Sequence, residues 1–381
     1  SHSQFIPSPH NNISPTVKLV MVAVAVKSLN IAVVGTGISA LSCAREIARF
    51  SSIDNNNGLS GARVTLCTSR SKMATQVGPK NQYIPKNGEP FFDYGVQYIN
   101  PREDVFAAEV QRWTELGFCT RLKEDEVGTV SFQDGFQSFG DDGVGSFAGN
   151  GGMGILMTNL IQQAGEEYSS CLEILSGFPN QKNKIQSLSK TSTGWTLHTK
   201  DGRRVGPFDA VIGGFAQHCL TDPFLMSGGI PTKGMLACLR RVESNQLIAM
   251  QVSFNPPLKA PFTAAHVHGE ESLSFISNNS RKPHQDGKIK SADRQCWTLI
   301  SSASFGEREF NTNKKGYRKI AEEEMLAALQ RVLGITNLRA HDPKINRINH
   351  WEDGVSANMP PSTHDCLFDV SQNIGWCGDF C

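Results

Sequence analysis

The feature that most constrains this chain is Gly35-Thr36-Gly37-Ile38-Ser39-Ala40, a G-x-G-x-x-A run between the apolar, β-branched segment Leu29 to Val34 and a helical pattern on Ile38, Leu41, Ala44, Ile47 and Ala48. A buried strand that turns into a helix through small residues brings backbone amides and the positive end of the helix dipole against a pyrophosphate. Gly35 allows the tight turn, Gly37 leaves room for the phosphates, and Ala40 lets helix pack on strand. After a polar loop from Ser51 to Gly61, Arg63 to Cys67 reads as a second strand and completes a β-α-β unit. A dinucleotide site is the reading this context supports, with a bare structural turn as the alternative.

Charge and cysteine usage remove several other classes. Lys plus Arg number 37 against 36 Asp plus Glu, a formal charge of +1, so no global field exists to hold nucleic acid or an anionic membrane. The longest uncharged apolar run, Leu19 to Val26, falls short of the roughly 20 residues of a membrane helix. Ten cysteines run from Cys43 to Cys381 without a CxxC pair, which points to free thiols in a reducing, intracellular compartment. Residues 1–29 are rich in Ser, Asn, Pro and His, with no acid before Glu46, and are expected to be a disordered leader. Such acid-poor leaders resemble plastid transit peptides; a secretory reading would use Lys18, the apolar run and Ala23 to Ala25.

Further helices are predicted from Phe106 to Leu116 with Gly117 as C-cap, from Met153 to Ala164, and from Met325 to Leu333 before Gly334. Between the last two lie predicted strands at Gly194 to Thr199, Asp209 to Gly213, Leu247 to Phe254, Leu273 to Ser277 and Cys296 to Ser302. The pattern suggests an α/β protein with a discontinuous Rossmann-like domain and an inserted antiparallel-sheet substrate domain. The first would take residues 30–100, 145–218 and 345–381, the second 101–144 and 219–344. The basic, Pro- and Gly-bearing loop from Asn278 to Arg294 reads as a mobile surface segment.

At the end of the second strand, where a Rossmann site places an acidic ribose ligand, stands Thr68. The interval from Asn55 to Gly88 holds no Asp or Glu, and Arg70 raises the alternative of a 2′-phosphate and NADP. No Ser-His-Asp or metal constellation competes: His266 and His268 alternate on a predicted strand but lack a third ligand.

Taken in order, IAVVGTGISALSCA, SKMAT, FDYGVQYINPRE, GMGILMTNLI, GWTLHTKDGRRVGPFDAVIGG, SLSFISNNSRKP and GWCGDF resemble the FAD-dependent renalase-type oxidoreductases, relatives of the monoamine oxidases. The resemblance runs from about Asn30 to the last residue. It implies a two-domain flavoprotein, with Gly35, Gly37, Ile38, Ser39 and Ala40 on the pyrophosphate of FAD and Thr68 at the ribose. Lys72 stands where the family has the Arg of a G-R-M-A-T segment. Gln97 and Tyr98 match a G-x-Q-Y segment near the flavin, and Gly378 and Asp379 match a terminal G-D at the ribityl chain. Lys282, in a segment resembling the family's N-S-S-K-P turn, is expected to orient an anionic substrate or to be a solvated loop lysine. The implied reaction is hydride transfer from a small-molecule substrate, dihydronicotinamide-like or an amine, with dioxygen as acceptor. The family continues beyond Asp379 into a helix that closes the flavin site, so the resemblance also implies that this chain holds FAD substoichiometrically.

Overall fold

The computed structural model describes residues 28–35, 37–53, 61–68, 91–175, 185–214, 227–228, 237–238, 240–284, 294–312, 314–357 and 367–378. The leader residues 1–27, Thr36, Arg70, Lys72, residues 285–293 of the basic loop, and Asp379 lie outside the described residues.

A six-stranded sheet carries the G-x-G-x-x-A turn. Its order is β17 (Leu367–Asp369), β18 (Ile374–Trp376), β11 (Ala210–Gly213), β1 (Asn30–Val34), β2 (Arg63–Cys67) and β7 (Leu172–Leu175). Neighbours run parallel except in the antiparallel pair β17–β18. Both faces of β1 are covered, which is why its sequence is a continuous apolar run and not an alternating one. On one face pack α1 (Ile38–Ser52), α2 (Asp104–Glu115) and α3 (Met153–Glu167), through Ala44, Val110, Trp113, Leu156 and Leu160. On the other, Trp195 and Leu197 of a three-stranded sheet, β8 (Ile185–Thr191), β9 (Gly194–Thr199) and β10 (Arg204–Phe208), meet Ala32 and Val34.

The second large sheet has seven strands in the order β16 (Lys344–Ser356), β12 (Ser244–Phe254), β15 (Gln295–Ile300), β14 (Phe275–Asn278), β13 (Ala264–Val267), β4 (Val127–Ser131) and β5 (Gly135–Ser138). Met250, Val252, Ile276, Trp297 and Leu299 join α4 (Ala303–Thr312) and α5 (Tyr317–Val332) in one core, with Phe305, Met325 and Leu329 buried among them. A hairpin-like pair, β3 (Cys119–Arg121) with β6 (Phe147–Gly149), completes the strands.

Four expectations change. Residues 345–381 divide between the sheets: Lys344–Ser356 runs antiparallel to β12, and Leu367–Trp376 alone joins the parallel sheet. Residues 101–144 divide too, because Val110 and Trp113 of α2 bury into the core of α1 and α3 while β4 and β5 extend the seven-stranded sheet. That sheet is also not purely antiparallel, since β13 and β4 pair in parallel. Ile38, expected on the packed face of α1, is 39% exposed; the buried stripe runs through Ala40, Leu41, Ala44, Ala48 and Ser51.

Candidate functional site

At the C-terminal end of β1 the backbone amide of Gly35 donates to the Cys67 carbonyl at 3.0 Å, and that of Gly214 donates to the Val34 carbonyl at 2.7 Å. A Cβ on Gly35 would sit 2.2 Å from the Ala40 Cβ, and one on Gly214 would sit 2.6 Å from it. Strand, helix and the turn after β11 therefore meet at three of the smallest residues available, and nothing larger fits. Gly37 is the opposite case: a Cβ there would meet nothing within 4 Å. The space above Gly37 is open, and residues 37 and 38 are exposed.

The start of α1 is electrostatically unspent. Gly37 caps it without a side-chain hydrogen bond, and its first turn holds no acid. In contrast, α2 carries Asp104 in its first turn, and the Met153 amide opening α3 donates to Asp93 Oδ1 at 2.7 Å. Amides and a positive dipole end that no side chain caps among the described residues, beside an open glycine, fit a phosphate. The segment after β18 reaches the same place: the Cys377 amide donates to the Gly213 carbonyl at 2.9 Å, and the Cys377 thiol to the Ser39 carbonyl at 3.8 Å. Gly378 is thus carried to the mouth of the cradle formed by Gly35, Gly37, Ile38, Ser39 and Ala40. Thr68 ends β2 with its amide on the Leu175 carbonyl at 3.2 Å and is buried.

A second constellation ties the two large sheets together. Lys282 Nζ donates to Asp93 Oδ2 at 2.9 Å and to Gln97 Oε1 at 2.8 Å. Gln97 Nε2 folds back on the Asp93 and Gly95 carbonyls, both at 2.8 Å. The Asp93 backbone is held from the other side: Thr298 Oγ1 donates to its carbonyl at 2.8 Å, and its amide donates to Asn279 Oδ1 at 3.2 Å. Every member is buried and hydrogen-bonded, the condition under which polar groups persist in a core. Burial pushes the Lys282 ammonium below the usual lysine range, and the Asp93 charge offsets part of that.

This geometry corrects two expectations. Lys282 is neither a substrate-side cation nor a solvated lysine: it is 0% exposed and its ammonium faces Asp93 and Gln97. The loop it belongs to is not a surface segment at its start, since Asn278, Asn279, Lys282 and His284 are all buried. Gln97 spends both ends of its amide on protein groups, so it shapes the turn from Asp93 to Tyr98. That turn presents Val96, 64% exposed, as an apolar surface beside Gly95.

Tyr98 lies at the edge of a cavity of about 300 Å³ lined also by Arg102, Arg121, Phe139, Asp142 and His266. Its ring stacks on Phe275, and its Oη shares a hydrogen bond with His266 Nε2 at 3.2 Å. Burial raises the Tyr98 phenol, and burial together with the His268 charge lowers the His266 imidazole. His266 is itself the exposed residue of β13, so this hydrogen bond lies at the protein surface. Sequence reasoning missed Asp93; its place among Phe91, Phe92 and Tyr94 was the available signal, because a carboxylate in an aromatic run is buried and must be paired.

No family model matches the chain. Solved structures do match it. A candidate protoporphyrinogen oxidase from Exiguobacterium sp. is 11% identical, with 92% of this chain and 94% of that one covered and a TM-score of 0.59. A putrescine oxidase redesigned in its cofactor binding is 14% identical over 93% and 94% of the two chains, with a TM-score of 0.54. The flavin-dependent halogenase CmlS is 13% identical over 93% of this chain and 54% of its own, with a TM-score of 0.51. At these identities the likeness is one of fold: a parallel dinucleotide-type sheet joined to a large second sheet is an architecture this chain shares with oxidases and a flavin-dependent enzyme.

Proposed function

We propose that the chain is a FAD-dependent oxidoreductase of the renalase type, which takes a hydride from a small reduced substrate, dihydronicotinamide-like or an amine, and passes the electrons to dioxygen. The observation that carries this reading is the meeting of an uncapped α1, an open Gly37 and the Gly378 segment at one end of the parallel sheet. The redesigned putrescine oxidase and the flavin-dependent halogenase, which share the fold, support a flavin in preference to a nicotinamide dinucleotide.

Gly35, Gly37, Ile38, Ser39 and Ala40 would hold the pyrophosphate, and Gly378 with Asp379 the ribityl chain. Bound there, FAD supplies a two-electron acceptor that dioxygen can reoxidise to give peroxide. The protein's own part is placement and polarity. The Lys282, Asp93 and Gln97 network fixes the turn that exposes Val96, an apolar patch suited to a planar ring. Tyr98 and His266 line the cavity in which a small substrate would lie, and their hydrogen bond holds the phenol ring against Phe275. Orientation of this kind is what hydride transfer asks of a protein.

The test is a flavin titration followed by turnover. Purified chain should bind FAD with a perturbed flavin spectrum, lose it on Gly37→Leu, and release peroxide with a dihydronicotinamide isomer or an amine. Binding of NADP in preference to FAD would favour the reductase reading through Arg70, and binding of neither would leave a noncatalytic relative.

A further inference from the structure

The cysteines are not alike. Cys67, Cys119 and Cys296 are buried, and burial pushes the thiols of Cys67 and Cys296 up to about 12, which makes them inert. Cys43 and Cys377 are reduced thiols and only half-buried. The Cys377 thiol reaches the Ser39 carbonyl at 3.8 Å. In α1 that carbonyl is the acceptor for the amide four residues on, which belongs to Cys43, so both side chains occupy the same turn. They are hydrogen-bonded to each other, and this contact outweighs burial and draws the Cys377 thiol below its usual value. A half-buried thiol with a second thiol in contact is the arrangement that oxidises to a disulfide instead of progressing to higher acids.

We propose that Cys43 and Cys377 form an oxidation site for hydrogen peroxide, closing reversibly to an intramolecular disulfide at the mouth of the phosphate cradle. The Cys377 thiolate attacks one peroxide oxygen and the O–O bond breaks, leaving a sulfenic acid on Cys377 and hydroxide, which takes up the proton the thiol had lost. The Cys43 thiol then attacks the Cys377 sulfur; the S–O bond breaks, the S–S bond forms, and the Cys43 proton leaves with the departing hydroxide as water. Two thiols and one peroxide give one disulfide and two waters. Bringing the sulfurs to about 2.05 Å draws the first turns of α1 toward the Gly378 segment. The two sides of the cradle are then covalently joined on either side of Gly37. The inference stands on the dithiol itself and holds whichever dinucleotide the cradle takes.

The experiment treats the full chain with equimolar hydrogen peroxide, blocks remaining thiols, and maps non-reduced peptides by mass spectrometry. The Cys43 peptide should appear joined to the Cys377 peptide with loss of two hydrogens, and dithiothreitol should restore both thiols. Under the same treatment Cys43→Ser should accumulate sulfenic acid at Cys377, trapped by dimedone, whereas Cys377→Ser should leave Cys43 unlabelled. Circular dichroism melts of both serine variants check that they fold, and the cross-link in the unaltered chain is read independently of them. A Cys377 to Cys381 link in its place, labelling spread evenly over the other cysteines, or no link at all would overturn the proposal.

Discussion

Lys282 Nζ donates to Asp93 Oδ2 at 2.9 Å with the two side chains 0% and 4% exposed, across 189 residues of chain. The same carboxylate accepts the first amide of α3 through Oδ1, so one side chain fixes a helix start, a turn and the segment after β14. Gly152 makes this possible. It precedes α3 at φ 104°, where an L side chain is strained, and a Cβ there would sit 2.8 Å from Asp93 Oδ1.

Removing either partner leaves the other charge buried and uncompensated. Lys282→Met should therefore cost about 3–5 kcal/mol of unfolding free energy. Combining it with Asp93→Asn should recover a large part of that loss, since the neutral amide still accepts from the Met153 amide. Urea unfolding of the two singles and the double gives the coupling energy; additive losses would mean the pair is not the joint between the sheets.

The legible parts of this molecule are those where local sequence and tertiary role agree. The G-x-G-x-x-A turn could be read because small residues are needed at Gly35 and Ala40 for packing and at Gly37 for space, and all three demands fall within six residues. The helices ending before Gly117 and Gly334 were legible for a related reason: both glycines take positive φ, +72° and +61°, as C-terminal caps. Lys282 was misread because its partners lie at Asp93 and Gln97, and nothing near Lys282 in sequence announces a buried acceptor. Residues 345–356 were placed with the dinucleotide domain for the same reason, since their burial is decided by their register against β12.

Arg45 and Glu109 form a two-point contact between α1 and α2, at 2.5 and 2.8 Å. The hydrogen bond from Arg45 holds the Glu109 carboxyl below the usual range, with burial opposing it. A lowered carboxylate pKa gives stability that is present above the ordinary Glu value, near pH 4.3, and is lost as pH falls through the folded value. Glu109→Gln should cost about 1 kcal/mol at neutral pH, the scale of a partly exposed pair. It should also flatten the fall of melting temperature below pH 5. An unchanged acid limb in the variant would exclude this pair as a source of acid sensitivity.

Cys67 and Cys296 should contribute to the alkaline limb. Their thiols stand at about 12 through burial, above the ordinary cysteine value. Such a raised pKa means stability that is full below about pH 8.5 and is lost as pH climbs toward the folded value, because the unfolded chain releases those protons first. Melting temperature should fall between about pH 8.5 and 10.5, and Cys67→Ala with Cys296→Ala should make that fall shallower. Both thiols should resist alkylation at pH 8 in the native chain and react on unfolding.

The cradle makes opposite demands on its two glycines, and that contrast separates packing from binding. Gly35→Ala places a methyl 2.2 Å from the Ala40 Cβ, so helix and strand must part; overpacking of this kind costs about 1–3 kcal/mol. Gly37→Leu meets nothing within 4 Å, so the folded chain should keep its melting temperature within about 1 °C while the side chain fills the space a pyrophosphate would enter. Calorimetric titration with FAD should then show binding weakened at least a hundredfold in Gly37→Leu. Gly35→Ala should melt earlier yet retain measurable affinity below its transition. If Gly37→Leu bound the dinucleotide as tightly as the parent chain, the open end of α1 would not be the phosphate site, and the flavin reading would lose its principal support.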